Sequence, residues 1–270
     1  MEYLISVDLE GIHGVVGEPY KSLTRAADYD VSVENAYFEI NAAIQALFDN
    51  GADKVAVYDY HGYSDNLDFS RLDSRVTKIY AKEEEPRFLF AKEHSFAGAV
   101  FIGYHAKEGT RGAVMAHTFN SVGVQYVKLN GEMVGEIGVD AYLCNAYGIK
   151  PLLIAGDDYC AAEAASCMSG IKTVVTKYGE GRNKARLRKR EDVVDEIYNG
   201  VAEALRSQNE VRTPKFPEKA ILEVRYTRAE TAEEIYTKAQ KIGKPLAQYG
   251  ADSHTLLFEI TSADVIANLL

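Results

Sequence analysis

The sequence contains no tryptophan and only three cysteines among its 270 residues. The cysteines (Cys144, Cys160 and Cys167) include no Cys-x-x-Cys pair, which disfavours a disulfide framework or a thiolate zinc site and fits a reducing compartment. No apolar run reaches the roughly 18 residues that a membrane span needs. The first apolar run contains acids, which is unlike a signal peptide. We therefore expect a cytoplasmic protein with no membrane partner.

Basic residues are too few to balance the acidic ones. The chain has 30 Lys and Arg against 40 Asp and Glu, which gives a formal net charge of −10. Because a negative protein repels the phosphate backbone, we expect no nucleic-acid partner. Hydrophobic residues make up 47% of the chain, a proportion that is typical of globular proteins and sufficient for a large core.

Apolar segments alternate with helical patterns along most of the chain. Most of the apolar segments lack a polar-apolar alternation, which is typical of parallel strands that are covered on both faces. Asn130-Gly131 lies between two shorter apolar segments and predicts a hairpin. We predict an α/β fold with a mostly parallel sheet and helices on both faces. The predicted strands include 3–7, 54–59, 97–104, 151–155 and 171–177, and the predicted helices include 135–147 and 191–205.

The C-terminal part differs from the rest in composition. Residues 207–219 hold two of the six prolines and many polar side chains, which is typical of a linker. We predict an α/β core at 1–206, a linker at 207–219 and a small α+β lobe at 220–270. The basic run at 184–190 is expected to be the solvated beginning of the helix that follows.

Candidate metal ligands follow three of the predicted strands. Asp8 and Glu10 follow the first, Asp59 and His61 the second, and His105 the third. Sites in open α/β sheets form outside the carboxyl ends of the strands. Two carboxylates two residues apart leave an extended chain on the same face and repel each other unless a cation or a proton lies between them. Histidine together with carboxylate suits zinc and similar ions, so we predict a metal-dependent hydrolase.

Other polar residues have a structural explanation as well as a functional one. His117 follows a short apolar stretch and is either a general acid or base or an ordinary loop histidine. Glu136 lies in the first turn of a predicted helix, where the helix dipole favours a carboxylate whatever its function. Asp157 and Asp158 also begin a helix, and capping is the expected role.

Six short motifs resemble those of a known family, the DppA-type D-aminopeptidases, which are zinc metallopeptidases. They occur in the family's order and spacing, and the resemblance runs from residue 3 to about residue 185 before it fades. The motifs are SVDLEG at 6–11, DYH at 59–61, GYHA at 103–106, MAHT at 115–118, GEIG at 135–138 and AGDD at 155–158.

The resemblance implies a site with two zinc ions per subunit and a catalytic role for His117. It also implies cytoplasmic, ring-shaped homo-decamers of two stacked pentamers. The substrates would be short peptides with N-terminal D-residues, notably D-alanine. The positions that match the family's metal ligands are Asp8, Glu10, His61, His105 and Glu136.

Five further residues are candidates for substrate contact or for support of the ligands. Tyr58 and Tyr60 flank Asp59 where the best-known member of the family has smaller polar residues, so all three are expected near the substrate. Asp157 and Asp158 are candidates for holding the free amine of a peptide.

Two other functions use similar residues. A two-metal phosphoesterase or amidohydrolase would need the same ligands, but the sequence has no glycine-rich phosphate cradle and its net charge is acidic. A peptide-binding protein associated with transport would have no use for clustered metal ligands. The sequence therefore favours the aminopeptidase.

Overall fold

The computed structural model describes residues 1–79, 87–242, 246–266 and 269. Its helices are α1 (Tyr29–Asp49), α2 (Glu136–Tyr147), α3 (Asp158–Cys167), α4 (Arg190–Ser207) and α5 (Ala229–Ile242). Its strands are β1 (Glu2–Val7), β2 (Lys54–Asp59), β3 (Thr77–Ile79), β4 (Phe96–Tyr104), β5 (Val124–Leu129), β6 (Glu132–Met133), β7 (Lys150–Asp157), β8 (Lys172–Gly181), β9 (Lys184–Leu187), β10 (Ala220–Tyr226), β11 (Ala247–Tyr249) and β12 (Thr255–Ile260).

The larger sheet confirms the predicted parallel arrangement. Among the described residues its strand order is β3-β2-β1-β4-β7-β8-β9. All neighbouring pairs are parallel except β8 and β9. Because these inner strands are covered on both faces, apolar residues occur throughout β1, where every residue after Glu2 is buried.

Helices cover both faces of this sheet, as predicted. Successive side chains of a strand point to opposite faces, so Ile5 packs in the same cluster as α1 and α4, whereas Leu4 packs with α2 and α3. Within the described ranges, none of the helices has the length and apolar character that crossing a bilayer requires.

A second, antiparallel sheet has the order β11-β12-β10-β5-β6 in the described residues. The predicted hairpin joins β5 to β6, and both Asn130 (φ 52°) and Gly131 (φ 87°) have the positive φ of a tight hairpin turn. β5 also pairs with β10, so the strands of 220–260 share a sheet with residues 124–133. The division into a core at 1–206, a linker at 207–219 and a lobe at 220–270 stays a prediction, but the C-terminal strands do not form a sheet of their own.

The basic run at 184–190 begins with a strand, so the prediction of a helix there was wrong. β9 pairs with β8 in antiparallel fashion, and α4 begins only at Arg190. Arg186 lies opposite Tyr178 in this pair, with its guanidinium carbon 4.0 Å from the ring centroid. Basic side chains on the edge of a sheet discourage further strand pairing, which explains the composition of the run.

The sheet opens a crevice beside β1. The strand order reverses there, because β2 and β3 lie on one side of β1 and β4 and β7 on the other. The segments that follow β1 and β4 approach each other closely through two glycines. A Cβ on Gly11 would lie 1.9 Å from the carbonyl oxygen of Tyr104, and a Cβ on Gly103 would lie 2.0 Å from that of Asp8. Such a reversal at the carboxyl ends of parallel strands is where ligands bind in these folds.

Candidate metal and active site

Six of the predicted site residues meet at this crevice. Asp8 and Glu10 follow β1, and each of the other four comes from a different later segment. All six are between 3% and 9% exposed although all are ionisable: Asp8, Glu10, His61, His105, His117 and Glu136. Burial of so many ionisable groups is costly unless they compensate one another or hold an ion.

His61 contacts both carboxylates that follow β1. Its Nδ1 lies 2.9 Å from Oδ1 of Asp8 and 3.0 Å from Oε2 of Glu10. The first contact has hydrogen-bond geometry, whereas Oε2 of Glu10 has no hydrogen-bond partner in the described part of the chain. This buried carboxylate oxygen therefore has an ion pair with His61 but no hydrogen bond.

His105 presents a ring nitrogen to two carboxylates. Its Nδ1 lies 3.0 Å from the carbonyl oxygen of Ala106, to which it donates its proton. Nε2 then carries a lone pair, and it lies 3.4 Å from Oδ2 of Asp8 and 3.3 Å from Oε1 of Glu136 without a hydrogen bond to either. A lone pair that faces two anionic oxygens requires a proton or a cation between them.

His117 completes the cluster on the side of Glu10. Its Nδ1 lies 2.8 Å from the carbonyl oxygen of Met115, and its Nε2 lies 3.9 Å from Oε1 of Glu10. The ring is held over that of His105. Glu136, the first residue of α2, is oriented by the backbone N–H of Phe119, which donates to its Oε1 over 2.8 Å.

These residues fit a divalent cation. The potential ligand atoms of Asp8, Glu10 and His105 lie within 4.8 Å of one another, as do those of His105, His117 and Glu136. Oε2 of Glu10, which has no hydrogen bond among the described residues, and the lone pair of His105 are the features that a cation would satisfy. Mixed carboxylate and imidazole donors suit zinc and its neighbours in the first transition row.

The pKa values follow from the same crowding. Burial raises the pKa of Asp8 to about 7, and the nearby charge of Glu10 adds to the effect. Burial would lower the pKa of His105, but Glu136 and Asp8 outweigh it and raise the pKa to about 10. Burial and the neighbouring His105 lower the pKa of His117 to about 4. Without a metal, the cluster therefore takes up a proton on His105 where a cation would otherwise lie.

A cavity of about 870 Å³ leads to the cluster. Five of the six site residues line it, and His105 lies behind them. The remaining wall is partly aromatic or apolar, formed by Tyr60, Tyr63, Phe119 and Val122, and partly polar, formed by Ser22, Thr24, Arg25, Gly62, Asn120 and Ser121.

Of the five residues predicted near the substrate, Tyr60 lines the cavity and the other four do not. Tyr58 is buried against Phe88 and Phe90. The remaining three use their carboxylates as structural acceptors. Asp59 accepts from the backbone N–H groups of 66 and 67, Asp157 caps α3 and accepts from the N–H of 114, and Asp158 accepts from the N–H of 179.

Two buried cations behind the ligands were not predicted from the sequence. Lys177 is fully buried and donates to the carbonyl oxygens of Glu10 (2.6 Å) and Ile12 (2.8 Å). Arg87 pairs with Asp140, one helical turn after Glu136. A lysine at the end of an apolar strand and an acid four residues after Glu136 were usable signals. Arg87, which lies between the predicted strands, had none.

Comparison with known proteins points to one family. The D-aminopeptidase family model matches residues 1–263, so the similarity extends past residue 185 into the C-terminal strands. A D-aminopeptidase of Bacillus subtilis (strain 168) is 28% identical over 254 residues, which is 93% of this chain and 92% of the relative.

A solved structure is similar over nearly the whole fold. It is described as the Zn-dependent D-aminopeptidase DppA from Bacillus subtilis, a self-compartmentalizing protease. The TM-score is 0.85 at 25% identity, with 99% of this chain and 94% of the other covered. The chain belongs to the D-aminopeptidase family of peptidases.

Proposed function

We propose that this protein is a zinc-dependent aminopeptidase that hydrolyses short peptides with N-terminal D-residues such as D-alanine. The observation that carries the proposal is the buried cluster of three carboxylates and three histidines at one end of the 870 Å³ cavity. The zinc dependence of the similar DppA structure supports zinc as the ion.

Five residues would hold the metal, and the proposal is two zinc ions per subunit. Support for two comes from the resemblance of the motifs. The two groups of potential ligand atoms share His105, but one of them includes His117, which is outside the proposed ligand set. Zinc in such a site supplies Lewis-acid polarisation of a carbonyl group and a water of lowered pKa. The proposed ligands are Asp8, Glu10, His61, His105 and Glu136.

His117 is the proposed acid-base residue. Its Nδ1 is engaged by the carbonyl oxygen of Met115, which leaves Nε2 free on the wall of the cavity. With a pKa lowered to about 4, the ring is neutral near pH 7, so Nε2 could accept a proton from the attacking water and then deliver it to the departing amine.

The cavity suits a short peptide with a free amino terminus. The carboxylates at its inner end would serve as metal ligands, so the peptide's free amine would be held by one zinc ion, which would favour cleavage next to the terminus. Tyr60, Phe119 and Val122 offer apolar surface to the side chains of the peptide. Its volume lies within the range of small-ligand sites, about 300–1,000 Å³.

The proposed assembly is a ring-shaped homo-decamer of two stacked pentamers. Its support is the resemblance of the motifs to the family and the description of the solved relative as self-compartmentalizing. Light scattering coupled to size-exclusion chromatography tests the proposal, and a monomeric mass would contradict it. The cytoplasmic location stays a prediction.

The activity is tested with a panel of paired substrates on one zinc-supplemented preparation whose metal content is also measured. D-Ala and L-Ala p-nitroanilides differ only in chirality, and p-nitrophenyl phosphate tests the phosphoesterase alternative. We expect hydrolysis of the D-anilide and of D-Ala dipeptides, abolished by a chelator and restored by zinc. Exclusive cleavage of the phosphate ester, or a full rate in the metal-free protein, would overturn the proposal.

A further inference from the structure

Arg87 is the centre of a buried network behind the candidate ligands. Its side chain is 1% exposed. The guanidinium donates from Nε and Nη2 to the carboxylate of Asp140, and Nη2 also lies 3.1 Å from the hydroxyl of Tyr104. That hydroxyl donates to Asp140 over 2.8 Å and contacts the hydroxyl of Ser6 at 2.9 Å. The network thus joins β1, β4 and α2 to the segment that carries Arg87.

The partners of Arg87 are close in sequence to the candidate ligands. Tyr104 immediately precedes His105, and Asp140 follows Glu136 by one helical turn. Tyr60 immediately precedes His61, and its ring centroid lies 3.2 Å from Cζ of Arg87. The guanidinium of Arg87 therefore contacts neighbours of three candidate ligands, His61, His105 and Glu136, which come from three different segments.

The third nitrogen of the guanidinium distinguishes this arrangement from an ordinary buried ion pair. Asp140 and Tyr104 engage Nε and Nη2, whereas Nη1 has no hydrogen-bond partner among the described residues and lies 3.7 Å from Oε2 of Glu136. A buried N–H without a partner is unfavourable, and an ion pair alone would need only Asp140. Nη1 therefore directs its charge at a carboxylate of the metal site.

We propose that Arg87 is a positioning residue that fixes the place of Glu136 and aligns the segments that carry His61 and His105. The fork-shaped guanidinium suits this role, because it holds Asp140 with two parallel hydrogen bonds and keeps a fixed direction towards Glu136. The inference rests on the proposed metal site.

The test measures zinc affinity and ligand geometry separately from activity. Arg87→Met removes the charge but keeps a long, unbranched side chain. Arg87→Lys keeps the charge but lacks the planar guanidinium. Metal-free proteins are titrated with zinc against a chromophoric chelator, and the cobalt-substituted proteins are compared by visible absorption. The matched control is Arg188→Met, which removes a partly buried arginine that pairs with Glu196 and donates to the carbonyl oxygen of Val175 rather than to a candidate ligand.

We expect Arg87→Met to bind zinc about 10–100-fold more weakly than the unmodified protein, as for loss of other residues that support metal ligands. The cobalt spectrum should shift, kcat should fall more than KM rises, and Arg87→Lys should recover part of the affinity. Arg188→Met should keep the affinity and the spectrum.

Unchanged zinc affinity and an unchanged cobalt spectrum in folded Arg87→Met would overturn the inference. Should that variant fail to fold, Arg87→Lys and Tyr104→Phe test the inference instead, because each alters one part of the network. Unchanged zinc affinity in both of these variants would overturn the inference. Absence of zinc binding by the unmodified protein would overturn the metal site itself, so the two failures are distinguishable.

Discussion

The imidazole rings of His105 and His117 are stacked, with centroids 4.0 Å apart and planes inclined by 12°. Each ring is oriented through Nδ1, by the carbonyl oxygen of Ala106 in one case and of Met115 in the other. Because two adjacent imidazolium ions repel each other, only one of the rings carries a positive charge in the metal-free protein. His105 lies between carboxylates and takes the charge, which leaves His117 neutral.

Replacement of His117 separates catalysis from metal binding. We expect His117→Ala to keep the zinc content of the unmodified protein and to lose about 10²–10⁴-fold in kcat, the usual contribution of a general acid-base group. Metal analysis and turnover are measured on the same sample. His94→Ala is the control, since His94 stacks on Phe96 and contacts Glu2 at the opposite end of the sheet.

Loss of zinc from His117→Ala would instead make His117 a ligand. The potential ligand atom of His117 does lie within 4.8 Å of those of His105 and Glu136, so this outcome has a structural explanation. The cobalt spectrum of the variant would then change as well.

We expect the carboxylate of Asp8 to lower the stability of the metal-free protein and to be required for the stabilisation that zinc gives. Burial and the charge of Glu10 raise its pKa to about 7, so its ionised form destabilises the metal-free fold above that pH. We expect Asp8→Asn to raise the melting temperature of the metal-free protein at pH 8 while it abolishes zinc binding and activity. Unfolding is followed by circular dichroism with and without zinc, and zinc should stabilise only the unmodified protein. An Asp8→Asn protein with full zinc stabilisation would contradict the assignment.

The candidate ligands at the strand ends could be found from the sequence because their placement is local. Asp8, Glu10, His61 and His105 each follow an apolar strand, and the carboxyl ends of parallel strands share one edge of the sheet. Glu136 was different. On position alone it read as a helix-start acid, and only the resemblance of the motifs gave it a role.

The unpredicted features depend on contacts between distant parts of the chain. Arg87 meets Asp140 across 53 residues of sequence, and no local pattern encodes such a pair. β9 is a strand because the edge of β8 is available to it, although its basic composition resembles a solvated helix start. The pairing of β5 with β10 likewise joins segments that are individually recognisable but whose partnership is set by tertiary packing.

Two glycines with positive φ allow a matched test of the close contact between the segments that follow β1 and β4 at the crevice. Gly103 has φ +74° and a Cβ there would lie 2.0 Å from the carbonyl oxygen of Asp8, whereas Gly148 has φ +69° with nothing within 4 Å. We expect Gly148→Ala to cost on the order of 1–2 kcal/mol from backbone strain alone. Gly103→Ala must also displace the end of β1, so it should destabilise the fold further and lower zinc affinity. Chemical denaturation and zinc titration of both variants check this, and equal effects would contradict the steric argument.

We expect Glu39 on α1 to make the free energy of unfolding depend on pH, and a single substitution removes this dependence. Its side chain is fully buried, Oε1 accepts from the backbone N–H of His13 over 2.7 Å, and Oε2 has no hydrogen-bond partner within the described ranges. Burial raises its pKa from 4.5 to about 7. Between these values the unfolded chain releases the proton while the folded protein keeps it, so the free energy of unfolding falls as the pH rises.

Glu39→Gln keeps the acceptor for His13 but cannot ionise. We expect it to match the unmodified protein near pH 4.5 and to become more stable than it as the pH rises to 7 and above. The gain should reach on the order of 3 kcal/mol, from about 1.4 kcal/mol for each unit of pKa shift. Urea unfolding with chelator present gives the free energy of unfolding of each protein, and the difference between the two is followed against pH. The titration of the candidate metal ligands is the same in both proteins and cancels in that difference.

Glu34→Gln is the control on the same helix, because Glu34 is exposed and pairs with Arg71. The hydrogen bonds from Arg71 lower the pKa of Glu34, so its loss should bring no gain in stability at high pH. A difference between Glu39→Gln and the unmodified protein that stays constant with pH would mean that Glu39 is ionised in the folded state throughout. In that case the nearby charge of Lys177, which lowers the pKa of Glu39, would outweigh its burial.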